Sequence, residues 1–110
     1  MRMRSRKYSA FEIDTLVSKA LAVIRANTDP LIIYLFGSAL GDNFDDSSDL
    51  DFLLVFRTKQ EAASSRKLLY RQGHLFDRGV DFVFVDRISF ESKSELGGVC
   101  FIAKQEGRQL

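Results

Sequence analysis

The chain holds one Cys, one Pro, one His and no Trp among its 110 residues. A lone cysteine, Cys100, cannot close an intrachain disulfide and has no companion at metal-ligand spacing, so a disulfide scaffold and a Cys-based zinc site are both excluded. Neither sign of charge is in excess. Sixteen Lys and Arg face fifteen Asp and Glu, leaving +1, so no global field draws the chain to nucleic acid or anionic lipid. No run approaches the roughly 20 apolar residues of a membrane span, and the basic N-terminus lacks the apolar stretch of a signal peptide. These absences predict a soluble, cytoplasmic protein that recognises its partners locally. What is present is core material: 45% hydrophobic residues and ten Phe, enough for one domain of this length and incompatible with general disorder.

Arg2, Arg4, Arg6 and Lys7 make residues 1–8 a basic tail, read as solvated in preference to an RNA-binding arm, and place the folded domain at 9–110. Ser9 and Glu12 stand at capping-box spacing, and Ile13, Leu16, Val17, Ala20, Leu21 and Ile24 mark one helical face that stops near Asn27. Residues 31–36 are a continuous, partly β-branched apolar run, which predicts a strand buried on both faces and ended by Gly37-Ser38. Residues 41–49 combine turn formers with four Asp and predict a loop anchored by Phe44. Leu50 to Phe56 predicts a second strand. Thr58 and Glu61 open a second helix over about 59–72, with Gly73 as its C′ residue. Val80 to Val85 predicts a third strand, and a helix interrupted by Gly97-Gly98 spans about 94–105. The alternation predicts a small α/β (α+β) domain, a mixed sheet of three or more strands covered by helices.

The chemistry concentrates in residues 35–52: Leu-Phe-Gly-Ser, ten residues, then Asp-Leu-Asp-Phe. Asp49 and Asp51 are two apart on a strand, so their side chains leave one face with Cα atoms about 6.6 Å apart, while Leu50, Phe52 and Leu54 take the other face. Two carboxylates so placed can bracket the Mg²⁺ ions of a phosphoryl-transfer site. Asp81 on the third strand supplies another carboxylate, with Asp77 and Asp86 as its competitors for that place. Gly37 lets backbone approach a phosphate, and Ser38 offers a hydroxyl and an N–H. His74 reads as a solvated loop residue and Cys100 as a small buried hydrophobe.

This Gly-Ser, ten-residue spacer and Asp-x-Asp between hydrophobics resembles the nucleotidyltransferase superfamily of the DNA polymerase β type. It is most similar to the minimal nucleotidyltransferases, stand-alone domains of about this length, from Leu16 through Glu106-Gly107-Arg108-Gln109-Leu110. The resemblance implies Asp49 and Asp51 as ligands of two Mg²⁺ ions, and Asp81 as the third carboxylate that activates the acceptor hydroxyl. It implies Gly37 and Ser38 as the triphosphate-binding pair, and ATP or another NTP as substrate. It further implies transfer of AMP to a hydroxyl of a partner macromolecule, a helical HEPN-domain toxin that this chain would restrain as an antitoxin and with which it would assemble. One departure bears on activity: many relatives carry Arg just after Gly-Ser, whereas residues 39–48 contain no Lys or Arg. That departure motivates a second expectation, a non-catalytic binding module of the same fold. A small-molecule, antibiotic-type nucleotidyltransferase is the third, disfavoured because no second domain is present to build a sugar pocket.

Overall fold

The computed structural model describes residues 6–76 and 78–110. Helix α1 spans Ala10–Asn27 and opens with both halves of a capping box: the Glu12 N–H donates to Ser9 Oγ, and the Ser9 N–H donates to Glu12 Oε1. Strand β1, Ile32–Phe36, is followed by a single 3-10 turn at Gly37–Leu40. Strand β2 runs Leu50–Phe56, helix α2 Lys59–Arg71 and strand β3 Val80–Asp86. Helices α3, Arg87–Leu96, and α4, Val99–Glu106, lead into the short strand β4, Arg108–Gln109.

The strands form one mixed sheet in the order β3-β2-β1-β4, with β1 antiparallel to β2 and β4, and β2 parallel to β3. On one face α1 and α2 lay Ile13, Val17, Ala20, Ile24, Ala62 and Leu69 against Ile33, Leu35, Leu50, Phe52, Leu54 and Phe56. Phe52 stacks on Phe82 and Phe56 on Phe84, with centroids 6.1 and 6.3 Å apart. The other face holds Leu53, Val55 and Val85 under Phe90 of α3 and Cys100 and Ala103 of α4. Among the described residues no helix is long and apolar enough to cross a membrane.

Three expectations change here. The first strand is not equally buried on both faces: Ile33 and Leu35 are buried, whereas Ile32, Tyr34 and Phe36 are only half-covered, because α3 and α4 shield that face less completely than α1 and α2 shield the other. The expected helix over 94–105 is two helices, since Gly97 and Gly98 adopt φ of 94° and 83°, a left-handed region that an α-helix cannot contain. Gly73 ends α2 without a left-handed turn and starts a short 3-10 segment, Gly73–Leu75, that carries the exposed His74. Phe44 is the loop anchor, 1% exposed, and Cys100 is buried, with its thiol pushed up by desolvation.

Candidate active site

Register brings the carboxylates together. In the parallel β2–β3 pair Asp51 lies directly beside Asp81, and in the antiparallel β1–β2 pair it lies opposite Phe36. Asp49 precedes Asp51 by two residues and so shares its face, the α3–α4 side of the sheet, at the end beyond Leu53. Asp49 and Asp81 are exposed and Asp51 is half-buried, so the cluster opens to solvent. The Asp51 carboxyl is held above its ordinary range, first by burial and then by the negative charges of Asp81 and Asp49.

Two glycines cradle this cluster. Gly37 turns the chain out of β1 at φ 78°, and a Cβ there would overlap the Asp51 carboxylate. A Cβ on Gly79 would overlap the Asp49 carboxylate in the same way. Ser38 follows at the exposed start of the 3-10 turn, its hydroxyl donating to the Asp49 carbonyl at 3.4 Å, while the Leu50 N–H donates to the Gly79 carbonyl at 3.2 Å. The ends of β1, β2 and β3 are thus tied together around the three acids.

Of the competitors for the third carboxylate, Asp86 sits at the far end of β3, buried, and caps α3 by accepting from the Ser89 N–H at 3.2 Å. Asp77 lies outside the described residues. Asp81 alone of the described pair shares the face of Asp49 and Asp51.

No three His, Cys, Asp or Glu side chains among the described residues are drawn close enough to enclose an ion as they stand. The donor set nonetheless fits a hard divalent cation: carboxylate oxygens from rigid strands, an Asp51 carboxyl raised by burial and like charges that an adjacent positive charge would relieve, and backbone kept clear by glycine on two sides.

The ten-residue spacer, which carries no cation of its own, receives one from elsewhere. The Arg78 guanidinium lies 4.6 Å over the Phe44 ring and 5.3 Å from that of Tyr8, and its Nη2 donates to the carbonyls of Asp45, at 3.1 Å, and of Ser48. The end of the basic segment joins the same loop through backbone: the Tyr8 N–H donates to the Phe44 carbonyl at 2.9 Å, and Lys7 forms an isolated antiparallel β-bridge with Asp45. Arg78 and Gly79 stand just before the third strand and carry no sequence pattern that marks them for a site. Their one local signal was position, directly ahead of the Val-Asp pair that starts β3.

The sequence profile of the family described as "Polymerase beta, Nucleotidyltransferase" matches residues 18–106. The chain belongs to the polymerase β-type nucleotidyltransferase family. The matched span contains Gly37, Ser38, Asp49, Asp51 and Asp81, so all of the cradle just described lies within the nucleotidyltransferase domain. Among solved structures, a 1.40 Å crystal structure of a "putative nucleotidyltransferase" from Sulfolobus solfataricus superimposes on it with a TM-score of 0.50. That protein is 23% identical, over 79% of this chain and 82% of its own, and the likeness is one of fold. No curated protein sequence gives a significant match.

Proposed function

We propose that this nucleotidyltransferase domain transfers AMP from ATP to a hydroxyl group of a partner macromolecule, releasing pyrophosphate. The observation that carries the reading is the β2–β3 register, which sets Asp81 beside Asp51 on the face that Asp49 shares. In this reaction the acceptor oxygen forms a bond to the α-phosphorus, the bond to the bridging oxygen of the β-phosphate breaks, and pyrophosphate leaves with that electron pair. Two Mg²⁺ ions held by Asp49, Asp51 and Asp81 would supply charge neutralisation and a more acidic acceptor hydroxyl. Asp81 is exposed at the open side of the cluster, where it can orient the acceptor and take its proton. Gly37 and Ser38 present backbone and hydroxyl to the outer phosphates, and the missing side chain at Gly37 leaves the Asp51 carboxylate its room.

The resemblance to minimal nucleotidyltransferases supports a helical HEPN-domain protein as the acceptor, with this domain as its antitoxin. The test combines the domain, candidate partner, Mg²⁺ and α-labelled ATP. Label should appear on the partner in step with pyrophosphate, and Asp51→Asn should abolish it without unfolding the chain. Labelling that survives Asp51→Asn removes the metal assignment.

One observation favours a second reading. Residues 39–48 carry no cation, and Asp42 and Asp46 are exposed beside the turn that would grip a triphosphate. A domain that restrains its partner by contact alone would bind it without labelling it, and the same assay separates the two.

A further inference from the structure

We propose that Arg78 is a positioning residue for the metal-binding carboxylates, a brace that fixes the loop at residues 41–49 so that Asp49 meets the sheet at the height of Asp51 and Asp81. The proposal rests on the reading of those three acids as metal ligands.

The loop needs an external hold. It contains four Asp and no Lys or Arg, so its charges repel one another and would repel the carboxylates of the site. Its local bonds, from the Ser47 N–H and hydroxyl to Asp45 Oδ1 at 2.9 and 2.6 Å and from the Ser48 N–H to the Asp45 carbonyl at 3.1 Å, close the turn at 45–48 and stop short of β2. Arg78 does. Its Nη2 donates to the Ser48 carbonyl, the peptide that leads directly into Asp49, and to the Asp45 carbonyl at 3.1 Å. The planar group rests on Phe44, the buried anchor of that loop, and Phe44 in turn meets Tyr8 edge-on at 5.6 Å.

From the other side the backbone beside Arg78 reaches the same residue. Gly79 packs against the Asp49 carboxylate, and its carbonyl accepts from the Leu50 N–H. Asp49 is therefore flanked on two sides by consecutive residues, Arg78 at the peptide that precedes it and the Gly79 backbone at its carboxylate. Arg78 Nε is buried without a hydrogen-bond partner among the described residues.

Calorimetry of Mn²⁺ binding in the presence of ATP tests this on the full chain, with Asp51→Asn as the reference for a lost site. Arg78→Met, which keeps apolar bulk and removes the donors, should weaken Mn²⁺ binding at least about tenfold while the metal-free protein stays folded by circular dichroism. Arg78→Lys, which restores charge and donors without a stacking plane, should recover part of that loss. On the unmodified chain the Arg78 Nε–H nuclear resonance should shift along the Mg²⁺-ATP titration, a readout that stands even if Arg78→Met fails to fold. A folded Arg78→Met with Mn²⁺ affinity within twofold of the parent overturns the brace and leaves the carboxylate site standing. So does an Nε–H resonance that ignores saturating Mg²⁺-ATP. If the parent and Asp51→Asn bind Mn²⁺ equally poorly, the carboxylate reading itself falls and the brace with it.

Discussion

The β2–β3 pair carries Asp51 and Asp81 at one end and Asp86 at the other, and the fold treats Asp51 and Asp86 in opposite ways. Asp86 closes the strand buried but satisfied: the Ser89 N–H donates to it, Lys59 lies near it, and its carboxyl is held below the usual range, the Ser89 bond first among the causes. Asp51, beside Asp81 at the other end, is partly buried among like charges and pushed up. A carboxylate that the fold supplies with donors stabilises it, whereas one given only other carboxylates lacks a counter-charge that something outside the chain must bring.

The largest effect should come from exchanging these residues for their amides. Asp51→Asn and Asp81→Asn should each lower nucleotidyl transfer at least about a thousandfold, because they remove a metal ligand or the proton acceptor. Asp86→Asn should leave it near the parent, since asparagine caps a helix about as well as aspartate. Equal losses at both ends, measured as initial rates of pyrophosphate release, would erase the distinction.

Gly37→Ala comes next. An alanine there must hold a left-handed backbone, at a cost of about 1–2 kcal/mol, and must also displace the Asp51 carboxylate. Transfer should fall about a hundredfold by misplacement of a ligand, with a lower melting temperature. Stability and activity both unchanged would mean that the cradle is slack.

Without metal the two ends should respond with opposite sign. Asp86→Ala should melt about 4 °C lower through loss of its cap. Asp51→Asn should melt higher than the parent in chelator, because it removes a partly desolvated charge from among like charges and keeps its shape. Differential scanning in EDTA reads both, and an Asp51→Asn protein that melts lower would mean that the carboxylate is structural.

The smallest effect is in pH. Asp51 has a folded pKa above its ordinary 3.8, so its ionisation penalises the fold at neutral pH and the penalty fades as pH falls through that raised value. Asp86 has a folded pKa below 3.8, so its stabilisation is complete above 3.8 and is lost only as pH falls through the lowered value. In chelator the melting advantage of Asp51→Asn should therefore shrink on acidification before the disadvantage of Asp86→Ala does. The reverse order would contradict both assignments.

The elements were legible wherever one local rule dominated. The Ser9–Glu12 box placed the start of α1, the alternation at Leu50–Leu54 assigned both faces of β2, and the spacing of Gly37-Ser38 from Asp49-Leu50-Asp51 pointed to the end of the sheet that holds the acids. What escaped depended on tertiary contact. Arg108–Gln109 forms a strand because β1 offers it a free edge, and two residues carry no periodicity to read. Glycine composition alone does not say whether Gly97-Gly98 weakens a helix or divides it, since that depends on the sign of φ. Arg78 was silent because its partners are main-chain carbonyls thirty and thirty-three residues earlier, whose positions no side-chain pattern encodes.

The phenylalanine stacks across β2 and β3 make this domain intolerant of miscounting. Phe52 on Phe82 and Phe56 on Phe84 lock the pairing from the side of the sheet opposite the acids. A slip of one residue would turn Phe82 out toward the acidic shelf and drive Asp81 into the oil beneath α2. Correct spacing of charges is thus guaranteed by rings that never touch them, and a chain whose strands pair wrongly loses its core and its chemistry in the same step. Drift in length should accordingly be confined to turns away from the ends where β1, β2 and β3 converge.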